Sequence, residues 1–241
     1  MIYQCYFKKD QEPDLFKNSC YEPFGLEPEV NKDLFLNCPE LEEPFVRLQL
    51  TEYACFLWHW RNKDKCPNDW VGSTSFRQLD KFPHIFKDLE QVDSLVSEHG
   101  VVGWGEYDLL NRVGSPITLK KQTEVCHPGL NKYISDVLNM HGHTLPSNWD
   151  QHTSGFFANY WAMTRKLFDD FMEFSWPMVK WSLENVKDSD YYKKQIKYGT
   201  VSNAKATGYF MERLFLVWYL NKGKTPYNPF RFRLNLVHDT L

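Results

Sequence analysis

The chain reads as an α/β protein with a mixed central sheet flanked by helices, a single domain over residues 1–241. Three observations predict this. A β-prone opening stretch runs into a polar loop, β-prone segments recur between segments of helical period, and 42% of the residues are hydrophobic, enough to bury one substantial core.

Residues 1–7 alternate and then break into Lys8-Lys9-Asp10-Gln11-Glu12-Pro13-Asp14. Many nucleotide-binding domains begin in this way, because the ligand lies beyond the strand's carboxyl end. The opening is short and polar, which reads as a strand and not as a secretory leader. Residues 20–49 carry Pro23, Pro28, Pro39 and Pro44 without any period, predicting a long surface segment with short turns.

From Arg47 to Asn62, Leu50, Tyr53, Leu57 and Trp60 keep helical spacing, so one helix is expected, with Thr51 or Gln49 near its start. Residues 69–77 predict a short strand entering a loop, 83–96 a helix, and 100–107 a strand. A hairpin or irregular loop is expected over 108–125 and a helix over 129–140. A polar loop follows over 141–152, then a strand over 154–163. Thr164 caps a helix that runs to Met172, and a further helix spans 177–186. The stretch 187–207 is polar, and Gly208–Leu220 closes the core as an aromatic helix with Glu212 in its first turn. Repeats and low-complexity tracts are absent.

The composition narrows the function classes. Net charge is −3 with both signs interspersed, so no basic field exists to hold a nucleic-acid backbone. Apolar runs fall short of the ~20 residues that cross a bilayer. The six cysteines are scattered without a CxxC pair, which predicts free thiols in a reducing cytoplasm and no zinc framework. Nine Trp and thirteen Tyr supply many flat rings, useful for sugars and bases and equally for a core.

Several groups are candidates for chemistry. Glu52, at the head of an aromatic helix, is either stabilised by the helix dipole or hydrogen-bonded to a sugar hydroxyl, as Asn62 is at the other end. Glu212 follows Gly208 and heads an apolar helix; it is either a cap or a general base, and Arg213 is its natural ion-pair partner. His141, His143, Asp150 and His152 crowd one loop, as a surface loop or a cation site. Cys126-His127 lacks an orienting third group for a thiol nucleophile. Trp104, Glu106 and Asp108 end a strand, with the two acids on one face of it if the strand continues.

Taken together, Leu50–Asn62, Asp69–Arg77, Gly155–Asp169 and Gly208–Leu214 resemble the capsular-polysaccharide-synthesis family of glycosyltransferase-like proteins. That family shows E-L-T-A-x-Y-W-x-W-K-N, D-Y-V-G-L-x-H-Y-R-R, N-M-F-I-M-x-K-x-x-F-D and G-F-x-x-E-R-L in this order. The last match is the closest. The resemblance implies a GT-A-like, Rossmann-related fold, with residues 1–110 binding a nucleotide-sugar donor and 111–241 binding a glycan acceptor. Tyr3, Cys5, Lys8, Thr51, Glu52, Asn62, Ser73, Ser75 and Arg77 would then line the donor side. Trp104, Glu106 and Asp108 would meet the acceptor, and Glu212 would serve as general base.

One departure matters. GT-A enzymes usually hold a divalent cation, manganese or magnesium, on an Asp-x-Asp motif; here Ser73-Thr74-Ser75 occupies that place, and hydroxyls do not replace carboxylates as ligands. Either Arg77 or Lys8 offsets the phosphate charge without a metal, or Glu106 or Asp108 substitutes. The expected function is transfer of a sugar from a nucleotide sugar to a glycan hydroxyl. The alternative is a carbohydrate-binding or assembly protein that kept the fold without the chemistry.

Overall fold

A computed structural model describes residues 1–15, 17–66, 68–81, 86–104, 106–110, 114–156, 159–198 and 205–224. In chain order its elements are β1 (Ile2–Tyr6), β2 (Tyr21–Gly25), α1 (Lys32–Asn37), α2 (Pro44–Leu50), α3 (Tyr53–Arg61), β3 (Trp70–Ser75), α4 (Gln78–Lys81), α5 (Leu89–His99), β4 (Val101–Gly103) and β5 (Glu106–Asp108). There follow α6 (Leu119–Cys126), α7 (Leu130–Met140), β6 (Ser154–Phe156), β7 (Trp161–Thr164), α8 (Arg165–Asn185), α9 (Asp190–Tyr198) and α10 (Ala206–Asn221). The described residues group into two compact units, 1–104 with 159–173, and 106–156 with 174–224.

The first unit is built on a five-stranded mixed sheet of order β2-β1-β3-β7-β4. Strand β1 pairs in parallel with both β2 and β3, while β7 runs antiparallel to β3 and β4. The strands β1, β2, β3 and β4 therefore all end on one edge of the sheet, at Tyr6, Gly25, Ser75 and Gly103. Pro23 is tolerated in β2 because this is an outer strand, whose missing N–H costs no ladder bond.

On one face, Cys5 touches Cys55 of α3, and the Tyr3 ring lies 3.8 Å from that of His59. Moving up the helix thus means moving back along the strand, so α3 runs antiparallel to β1. Phe56 packs against Trp161 at 4.6 Å and Phe168 at 6.5 Å, which locks the helix over β7 and α8 as well. The other face is covered by α5, whose Val92 and Val96 are buried and whose Asp93 accepts a short hydrogen bond from the Trp70 indole.

The second unit pairs β5 with β6 antiparallel and packs them with α6, α7, α9, α10 and the second half of α8. Helix α7 buries Leu130, Tyr133, Ile134, Val137 and Leu138, one stripe at helical spacing. Helix α10 is buried nearly all round. A chain of hydroxyls, Tyr133 to Ser182 at 2.8 Å and Ser182 to Thr207 at 3.0 Å, ties α7, α8 and α10 together inside this core. No helix among the described residues is long and apolar enough to cross a membrane.

Several expected elements differ. The single helix over 47–62 is two helices, and residues 20–49 hold β2, α1 and α2 instead of an extended surface segment. Part of the stretch 108–125, expected as a hairpin or irregular loop, belongs to α6, initiated where Thr118 Oγ1 accepts from the Lys121 N–H. The expected strand 154–163 is two strands in two sheets, β6 and β7. The two helices expected on either side of Pro177 are one, α8, and the polar stretch after it contains α9. The expected helix start at Pro83 and the tail beyond residue 224 lie outside the described residues.

Gly72 lies at the heart of the sheet. A Cβ there would sit 3.0 Å from Ile2 Cγ1 and 3.1 Å from Ala162 Cβ. Gly72→Val is expected to destabilise the fold by about 1–3 kcal/mol through overpacking. A lowered urea midpoint at unchanged denaturant slope would show this; an unchanged midpoint would refute the packing described.

Candidate functional site

In sheets of this kind ligands bind beyond the carboxyl ends of parallel strands, where the connections leave a central strand in opposite directions. That point here lies between β1 and β3. Just past β1, the Gln11 side chain accepts from the N–H groups of Phe7 and Lys8, at 2.8 and 3.0 Å, and so shapes the loop that carries the exposed Lys8. Past β3, Ser75 Oγ bonds Tyr160 Oη at 2.5 Å, and the exposed Arg77 pairs with Asp80 at 3.1 Å.

The antiparallel course of α3 brings its amino end to this same edge. Three residues before Cys55 correspond to about 4.5 Å of helix, which sets Glu52 just beyond the level of Cys5. Glu52 is the residue preceding the first turn, partly exposed, and its side chain makes no capping hydrogen bond. Before it, Thr51 has φ 47° and ψ −130°. Those angles belong to the first central position of a type II′ turn, normally a glycine position, and are strained for a β-branched residue.

Asn159 has φ 55° and immediately precedes Tyr160 and β7. Among the described residues, Thr51 and Asn159 are the two non-glycine residues with positive φ, and both stand at this edge. Such strain, about 1–3 kcal/mol per residue, concentrates at functional sites.

The structure thus brings Lys8, Thr51, Glu52, Ser75 and Arg77 to one edge. It places the other expected donor residues elsewhere. Tyr3, Cys5 and Ser73 are buried under α3 within the sheet, and Ser73 Oγ has no hydrogen-bond partner among the described residues. Asn62 caps the far end of α3, donating to the Trp58 carbonyl at 2.9 Å. Trp104 ends β4 at the edge, but its ring is 1% exposed and packs edge-on against Phe86. Asp108 is exposed on β5 in the second unit; the Glu106 side chain lies outside the described residues. Asn159 and Tyr160 were missed by sequence reasoning. The signal was Asn159 itself, a residue type that tolerates the left-handed region, standing between two β-prone runs.

In the second unit Glu212 sits two residues further into its helix than expected, because α10 begins at Ala206. Its carboxylate pairs with Arg213 Nη1 at 2.8 Å; the Glu212 side chain is 25% exposed and that of Arg213 2%. Arg213 Nη2 also donates to Gln122 Oε1 at 3.5 Å. The buried guanidinium therefore orients a carboxylate that still reaches solvent.

Among the described residues no group of three or more His, Cys, Asp and Glu gathers at metal-binding distance. In the histidine-rich loop His141 Nδ1 meets the Val137 carbonyl at 2.9 Å, His152 meets Ser154 at 3.2 Å, and Asp150 pairs with Lys120 at 2.8 Å. The donor set at the sheet edge, hydroxyls with Glu52, does not fit a divalent cation. The Cys126 thiol is pushed up by burial, and His127 stacks on Tyr209 at 3.8 Å instead of facing it, which leaves no activated nucleophile.

The mixed sheet with flanking helices is a fold that this chain shares with a glycosyltransferase of known structure. The chain is similar to the apo structure of WbbM, a bifunctional glycosyltransferase, with a TM-score of 0.54 and 14% identity over 99% of this chain. It covers 47% of WbbM, so it spans about half the length of that protein. No protein-family model matches the sequence, and no curated protein matches it either.

On the buried side of α3, His59 is fully buried, with Nδ1 2.8 Å from Cys66 Sγ and its carbonyl accepting from Arg165. Burial first, then the Arg165 charge, holds its pKa well below the usual value. The unfolded chain takes up this proton near pH ~6.5 and the folded one does not. The stability concerned is present above that pH and is lost as pH falls, by at most ~1.4 kcal/mol per unit. His59→Gln is expected to flatten the fall in urea midpoint between pH 7 and pH 5; an unchanged slope would contradict the assignment.

Proposed function

We propose that the chain is a glycosyltransferase of GT-A type whose first unit binds a nucleotide-sugar donor at the carboxyl edge between β1 and β3. The observation that carries this reading is the convergence there of two exposed cations, Lys8 and Arg77, with the amino end of α3 and two strained residues. A helix amino end and flexible cations suit a diphosphate. Glu52, at the same edge, is an acceptor-only group suited to the hydroxyls of the ribose or the donor sugar. The fold shared with WbbM supports the class, and the order of motifs supports a role in polysaccharide assembly.

The transfer is then written with Glu212 as base. An acceptor hydroxyl attacks the anomeric carbon, the carbon–oxygen bond to the diphosphate breaks, and the hydroxyl proton passes to a carboxylate base, the role that the resemblance of Gly208–Leu214 implies for Glu212. Arg213 orients that carboxylate. Lys8 and Arg77 offset the charge on the departing diphosphate, so no step is routed through a metal ion.

A second reading, sugar binding without transfer, draws support from the hydroxyls of Ser73-Thr74-Ser75 standing where acids are usual. Two experiments separate the readings. Lys8→Ala with Arg77→Ala is expected to weaken UDP or GDP binding in calorimetry at least tenfold; a chain that ignores both nucleotides contradicts the donor site. Glu212→Gln should lower turnover by 10²–10⁴-fold, the usual contribution of a positioned base, with donor affinity nearly unchanged. Undiminished turnover would remove Glu212 from the mechanism.

A further inference from the structure

Glu212 and Arg213 are adjacent in the chain, and adjacent side chains on a helix point about 100° apart. Their ion pair at 2.8 Å is therefore not given by helix geometry alone. The guanidinium has to be held across the surface of α10 so that one of its nitrogens meets the carboxylate. One such hold comes from α6: Gln122 Oε1 accepts from Arg213 Nη2 at 3.5 Å, so the guanidinium reaches from one helix to the other.

Gln122 is itself fixed. It is 6% exposed, and its Nε2 donates to Cys126 Sγ at 3.3 Å one turn further along α6. A guanidinium offers donors only, so the amide must present its oxygen to Arg213 and its nitrogen to the thiol. Being neutral, Gln122 anchors Arg213 without competing with Glu212 for its charge.

The groups around the pair add little charge of their own. Burial first, then the Glu212 charge, raises the Tyr209 phenol; burial likewise holds Tyr191 of α9 well above its ordinary value and pushes up the Cys126 thiol. All three are uncharged at neutral pH. His127 stacks on Tyr209 at 3.8 Å, with Nδ1 3.5 Å from Gln195 Oε1. An opposite charge close by favours the ionised carboxylate, so the proton affinity of Glu212 depends on how closely Arg213 is held to it.

We infer that Gln122 is a positioning residue for Glu212: acting through Arg213, it sets the pH at which the Glu212 carboxylate takes up a proton. Its bearing on sugar transfer rests on the reading of Glu212 as the base.

The test uses the whole chain labelled with carbon-13 at the glutamate carboxyl groups, the Glu212 signal being assigned by its loss in Glu212→Gln. Gln122→Met, similar in length and apolar, should raise the pH of half-titration of Glu212 by about 0.5 or more, because the guanidinium loses its anchor. Thr123→Val alters the next residue of α6, which is fully buried, and should leave that pH unchanged. With Arg213→Lys already present, Gln122→Met should add nothing. An unmoved titration in Gln122→Met overturns the inference. So does an equal shift in Thr123→Val, which would trace the effect to loosening of α6, or an undiminished shift beside Arg213→Lys. If Gln122→Met does not fold, nitrogen-15 spectra of the unmutated chain decide: Arg213 Nη1 and Nη2 should give separate signals, and one averaged signal overturns the anchor. Turnover of UDP- and GDP-sugars separates this inference from the reading it rests on. Full turnover in Glu212→Gln with a moved titration in Gln122→Met removes the base and leaves the positioning standing; lost turnover with an unmoved titration does the reverse.

Discussion

The packing of α3 across β1 is the constraint on which the rest of the first unit depends. Three layers of contact hold it: Cys55 on Cys5, His59 on Tyr3, and Phe56 on Trp161. Each buried large side chain contributes about 1.5–3 kcal/mol, so the direction of the helix is strongly determined. That direction decides which of its ends meets the carboxyl edge of the sheet. With α3 reversed, Asn62 and not Glu52 would stand at that edge.

The same packing makes the strain at the edge tolerable. Leu50 and Tyr53 are buried on either side of Thr51 and Glu52, so the chain is pinned before and after the turn and Thr51 has no freedom to relax. Asn159 is pinned likewise between the edge and Trp161, which is fully buried in β7. A turn that would suit glycine is thus imposed on a threonine by its neighbours, and the cost is met by core burial away from the site.

This also explains what was legible in the sequence. The α/β class, β1, β3, α7 and α10 were readable: α7 keeps its apolar residues at helical spacing, α10 is a long apolar and aromatic run, and β1 and β3 are short β-prone stretches bounded by polar loops. The break at Thr51 was not, since Leu50, Tyr53, Leu57 and Trp60 keep helical spacing straight through it and threonine does not announce a positive φ. The prolines of 20–49 suggested turns, yet Pro23 sits in an outer strand and Pro44 in the first turn of α2, two places where a missing N–H costs little. Of the expected site residues, those just past the strand ends and at the head of α3 came together. Tyr3, Cys5 and Ser73 did not, because strand alternation turns them under the helix, and burial of that kind depends on tertiary packing.

The central claim is that the edge between β1 and β3 receives the nucleotide. Backbone amide shifts on addition of UDP or GDP test it most directly. The account predicts the largest changes at Phe7, Lys8, Thr51, Glu52, Ser75–Arg77 and Tyr160. Changes confined to other residues, or none with either nucleotide, would contradict it.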